Sequence, residues 1–166
     1  MKSNNSIFWF FNYDYIKSVF NLHSRTKMNR MLEIALMEYG TKEWAGTSHN
    51  PEVLKYFRDC GFDEINNDET SWCSAAMCWC ALQSALPHTG SLMARSWLKW
   101  GEPVTMPKLG DVAVFWREDI NGPFGHVGLF IRNLGSSIYV LGGNQSNTFN
   151  IAPQSANKLL GFRRFE

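Results

Sequence analysis

Cys73 is the residue of this chain best placed to act as a nucleophile. A thiol attacks as its thiolate, and a helix N-terminus beside a base lowers a cysteine pKa from its usual value of about 8.5. The pattern after Ser71 predicts a helix from Trp72 to about Ser84, ended by Pro87 and Gly90, with Ser71 as its cap. Cys73 then falls in the first turn, where unpaired backbone N–H groups and the macrodipole favour negative charge and stabilise an oxyanion. Ala76, Met77, Cys80 and Ser84 share its helical face, so Cys73 points toward the sheet that the helix covers.

The base has to come from that sheet. His126 sits in Gly125-His126-Val127-Gly128 at the start of an alternating stretch, and the glycines admit another backbone or a substrate beside the imidazole. A structural histidine on a polar sheet face is the alternative. A histidine base also needs an orienting group on its second ring nitrogen. Asn144, which follows Leu141-Gly142-Gly143, is the first candidate and Gln145 the second; Asn144 equally suits a left-handed turn. His23, His49 and His88 lie in polar or loop-like segments and read as surface residues.

The elements that must position these groups change period midway along the chain. Met28 to Tyr39 carries apolar residues at helical spacing and stops at Gly40; Asn50-Pro51 opens a second helix that Gly61 ends. Ser91 opens a fourth helix, through Arg95 to Trp100. Beyond Gly101 the pattern alternates, with strands expected at 112–116, 126–132 and 137–141 and weaker ones at 149–152 and 159–165. Helices followed by short strands predict an α+β fold, N-terminal helices packed on a mostly antiparallel sheet of about five strands. Residues 1–27 fit neither pattern and read as an appendage.

The chain has 166 residues, suited to one domain, and 45% of them are hydrophobic against 19% charged, as in a globular protein. A net charge of +1 excludes the broad basic field that nucleic-acid binding needs. The apolar run Ile7 to Phe11 is broken by Asn12, Asp14 and Lys17, so no signal peptide is expected, and the chain should be made in the cytoplasm. No run of about 18 apolar residues predicts a membrane span. Cys60, Cys73, Cys78 and Cys80 read as free thiols, with all but Cys73 acting as small buried apolar residues. Their spacing, with His88, lacks the short pairs of structural zinc sites, so no metal is expected.

Several segments together resemble the compact papain-like cysteine amidases and peptidases of bacteria and phages, of the CHAP and NlpC type. Trp72-Cys73-Ser74-Ala75-Ala76 with Trp79-Cys80 resembles the catalytic helix of a small CHAP-related subfamily. Thr89-Gly90-Ser91 with Ala94-Arg95-Ser96-Trp97-Leu98 is similar to its second helix, and Pro107-Lys108-Leu109-Gly110-Asp111-Val112 to the entry of its first strand. Gly125-His126-Val127-Gly128 resembles the catalytic histidine strand, and Leu141-Gly142-Gly143-Asn144-Gln145 the segment of the third residue. The likeness runs in order from about residue 28 to the C-terminus.

The resemblance implies a papain-like domain at 28–166 that cleaves an amide in the peptide part of peptidoglycan without metal or organic cofactor. Cys73 would be the nucleophile, His126 the base and Asn144 its orienting residue, with the two reactive groups a few Å apart. The Cys73 backbone N–H would bind the oxyanion, helped by a polar residue shortly before it, where Asn67 and Asp68 lie. Trp72, Arg95, Trp97 and Gln145 would line the groove; a surface arginine and a packed tryptophan are the alternatives for Arg95 and Trp97. Such an enzyme would act as a monomer on the wall, as a phage lysis enzyme or a toxin delivered by an export machine and matched by an immunity protein. A cysteine acyltransferase, a protein-directed protease and a catalytically silent wall-binding module are the competing expectations.

Overall fold

Alternation in the second half of the chain produces one six-stranded sheet in which every neighbouring pair is antiparallel. The structure is a computed structural model and describes residues 29–165; the appendage 1–27, His23 and Met28 lie outside the described residues. The strands are β1 (Glu102–Val104), β2 (Val112–Trp116), β3 (Gly125–Asn133), β4 (Ser137–Gly142), β5 (Asn150–Ser155) and β6 (Leu159–Arg164), in the order β1-β6-β2-β3-β4-β5. The sixth strand, beyond the five expected, is β1. Its three residues are too few to alternate visibly, and Pro103 is tolerated because β1 is an edge.

Among the described residues three α-helices precede the sheet: α1 (Arg30–Met37), α2 (Pro51–Arg58) and α3 (Cys73–Gln83). Their starts follow from local chemistry. The Asn29 side chain accepts from the Met31 N–H, and the Asn50 side chain accepts from the Glu52 N–H ahead of a proline in the first turn. Beyond α1, Gly40 takes a φ of +94°, a conformation that costs glycine little. The segment expected as a fourth α-helix from Ser91 forms instead a 3-10 helix at Ala94–Lys99. There the Ser91 hydroxyl closes a turn onto the Met93 N–H, which delays the start.

α3 is more deeply buried than the other helices. Cys73 to Cys78, Cys80 and Ala81 are all buried, so it is apolar nearly all round and runs through the middle of the molecule. It packs on α1, α2, β3 and β4. Glu38, at the end of α1, accepts from the Tyr56 hydroxyl at 2.6 Å and pairs with Lys55 at 2.9 Å, tying α1 to α2. Gly143 seats the N-terminus of α3: a Cβ there would overlap the Trp72 ring and lie 2.8 Å from the Ala76 Cβ.

The sheet carries apolar residues on both sides. Val112, Val114, Val127, Leu129 and Leu141 meet the helices, whereas Ala113, Phe115, Phe130, Ile138, Val140 and Phe162 form a second cluster on the other side. Among the described residues no helix is long and apolar enough to cross a membrane.

Candidate active site

Cys73 is the first residue of α3 and is buried against β3. Its cap is Trp72, which makes no side-chain capping bond, rather than Ser71 as expected. The Ser71 side chain instead hydrogen-bonds the Cys73 sulfur, which also receives the backbone N–H groups of Val127 and Ser74. The pKa direction corrects the sequence expectation. Burial pushes the Cys73 thiol up, and the opposing pull of Arg117, the N–H donors and Ser71 leaves it raised. A helix dipole and a few donors do not replace the water that a thiolate loses here.

The β3–β4 ladder ends at Leu129 and Leu141, and the chain then turns away through Asn144, Ser146 and Asn147, all at positive φ. At this gap beside β3 the Val127 N–H acts on the Cys73 sulfur and favours its thiolate. His126 stands opposite Phe115 in the β2–β3 register, so its ring lies on the Phe115 side of the sheet, while Val127 belongs to the helix side. Thiol and imidazole thus reach β3 at consecutive residues from opposite sides, and among the described residues no hydrogen bond joins them; the direct contact expected from the sequence is not formed, because alternation along β3 turns consecutive side chains to opposite faces.

Hydrogen bonds on both nitrogens decide the tautomer of His126. The Gln145 amide nitrogen lies 2.6 Å from the Asn150 carbonyl oxygen and shares its two hydrogens with those of Val140 and Gly142 and with Asn150 Oδ1, which leaves Oε1 to face the ring. Oε1 accepts from Gln154 at 2.9 Å and lies 3.2 Å from His126 Nε2, so Nε2 carries the proton. On the other side Arg117 Nη2 stands 3.2 Å from Nδ1, and a guanidinium only donates, so Nδ1 holds the lone pair. The two assignments agree. Burial, then the charge of Arg117, holds the His126 pKa down to about 3 against the opposing hydrogen bond of Gln145. The ring is therefore neutral at ordinary pH, with its basic nitrogen covered by Arg117.

The remaining residues expected at the site have other occupations. Asn144 is half-buried in the left-handed turn, and the orienting contact belongs to Gln145. Asn67 Oδ1 closes a turn by accepting from the Thr70 N–H and hydroxyl at 2.9 and 2.8 Å. Asp68 is fully buried and accepts from the N–H groups of Trp44 and Asn50 and from His49 Nδ1. Burial alone would raise its pKa, yet these donors hold it below the usual aspartate value. His49, expected at the surface, is thereby tied to a buried carboxylate. Trp72 is core: it stacks on Tyr56 and donates to Glu43 at 2.7 Å.

Trp97 is likewise buried, and its indole N–H bonds the Ser74 hydroxyl. Arg95 spends its guanidinium on the carbonyl oxygens of Asp119, Ile120 and Phe124, each at 3.0 Å, and so clamps the β2–β3 hairpin. Arg117 and Gln154 were absent from the sequence reading. Alternation could have found Arg117, because two residues beyond Phe115 it falls on the side of His126. The four cysteines are free; burial pushes Cys60 up to about 12 and Cys80 well above the ordinary thiol range.

No protein-family model matches the chain, and no curated protein matches it significantly.

Proposed function

We propose that this protein is a thiol hydrolase that cleaves an amide in the peptide part of bacterial peptidoglycan, with Cys73, His126 and Gln145 as its working set. The observation that supports it best is the ring of His126, fixed by Gln145 as the Nε2–H tautomer with an Nδ1 lone pair, on the strand whose next residue hydrogen-bonds a helix-start thiol. An amide oxygen on one imidazole nitrogen, leaving the other as base, is the arrangement a cysteine nucleophile needs.

In the proposed reaction the Cys73 proton passes to His126 Nδ1 through a bridging water around the open end of β3 as sulfur attacks the carbonyl carbon. The oxyanion is held by the Cys73 backbone N–H at the start of α3. His126 returns the proton to the leaving amine, the C–N bond breaks, and a thioester remains. Water, deprotonated by the same nitrogen, then releases the acid and restores the thiol. The sequence motifs that resemble wall amidases supply the substrate class, and export or lysis would bring the enzyme to it.

Mass spectrometry of purified peptidoglycan digested with the wild type and with Cys73→Ala tests the reading. New muropeptides from the wild type alone are expected, and their masses locate the bond. Unchanged walls of several chemotypes from an otherwise folded wild type would overturn it in favour of acyl transfer or protein cleavage.

A further inference from the structure

Arg117 occupies an odd position for a cation. It is exposed at the start of the β2–β3 hairpin, beside both reactive groups, and no carboxylate pairs with it among the described residues. Other arginines packed on the sheet are committed: Arg95 to three carbonyl oxygens, Arg163 to those of Leu98 and Phe162, Arg164 to Asp111. Arg117 gives one N–H to a neutral imidazole, a modest partner for a guanidinium that presents five donors in a planar fork. Its backbone is held in place, since its N–H bonds the Phe124 carbonyl and Arg95 clamps the rest of the hairpin. The side chain alone is left to move.

We propose that Arg117 anchors a substrate carboxylate: it selects amides with a free carboxylate close to the scissile bond and, on taking that carboxylate, uncovers His126 Nδ1 for Cys73. The inference rests on the thiol-hydrolase reading above and names the class of substrate that reading requires. A carboxylate matches the guanidinium fork with two charge-assisted hydrogen bonds and outcompetes the single bond to imidazole. The same move withdraws positive charge from the ring and so lets it accept the thiol proton. Binding the correct substrate therefore completes the site, and an amide lacking the carboxylate finds the base covered.

Two alkylating reagents of equal reach test it, iodoacetate with a carboxylate and iodoacetamide without. The ratio of their rates at Cys73, divided by the same ratio in the urea-unfolded chain, is expected to be about tenfold higher in the wild type than in Arg117→Gln. Arg117→Lys should retain part of the preference, and thermal unfolding should show both variants folded. An equal ratio in wild type and Arg117→Gln, or no labelling of folded Cys73 by either reagent, would overturn the proposal. Wall digestion is a separate readout: a carboxylate preference without muropeptide release would sink the wall substrate and leave the Arg117 anchor standing.

Discussion

Cys73 and Cys80 lie about two turns apart on α3 and are both buried, yet their surroundings differ in sign. Burial raises both thiols. Around Cys80 the next influences are Glu38, opposed by Lys55, and then Cys60 and Cys78, which lift it further. Around Cys73 every influence after burial pulls downward: Arg117, the Val127 N–H, the Ser71 side chain and the Ser74 N–H. Burial thus does not tell a core cysteine from the proposed nucleophile; the donors aimed at the sulfur do. In the proposed hydrolase one end of the helix serves packing and the other holds charge at the moment it forms.

Exchanging the two cysteines one at a time should give the largest contrast. Cys73→Ala should lower amide hydrolysis by about 10⁴-fold or more, whereas Cys80→Ala should leave kcat within about twofold, read from muropeptide release. Equal losses would dissolve the distinction.

The second contrast is with pH. A histidine whose folded pKa is about 3 binds its proton in the unfolded chain first, near 6.5. Stability contributed by the neutral ring is therefore intact above about pH 6.5 and is lost progressively as pH falls toward 3. At about 1.36 kcal/mol per unit, that loss is on the order of 5 kcal/mol. Asp68, whose pKa is lowered, adds a further loss below the ordinary aspartate range, so the difference between wild type and His126→Gln isolates the ring. Urea unfolding across that window should show the wild type weakening more steeply than His126→Gln; parallel curves would contradict a buried neutral histidine.

Gln145→Ala removes the oxygen that fixes the tautomer and should cost about 100-fold in kcat with little change in KM, measured by steady-state kinetics. Gly143→Ala should destabilise by about 2–3 kcal/mol, because its Cβ meets the Trp72 ring and Ala76 where α3 enters the sheet gap. Cys80→Ala should cost only about 1 kcal/mol, the price of a small void.

Much of this was legible in the sequence. Asn29, Asn50 and Pro51 announce their helices, and alternation marks the five strands that carry the sheet's centre and one edge. What was not legible depends on contacts distant in sequence. Nothing local distinguishes Asn144 from Gln145; the choice is made by the left-handed turn that the first adopts and by the carbonyl oxygens of Val140, Gly142 and Asn150 that hold the second. Spacing placed Cys73 at a helix start correctly but could not weigh the dipole against desolvation, which wins. Arg117 escaped because a lone arginine after a strand means little until the imidazole opposite it is seen.

The state of His126 is the hinge of the account, and nitrogen-15 NMR of histidine-labelled wild type reads it directly. The account predicts a neutral ring protonated on Nε2 from pH 8 down to below 5, with the Nδ1 resonance moving when Arg117 is replaced by glutamine. A ring that protonates near pH 6.5, or that carries its proton on Nδ1, would contradict it.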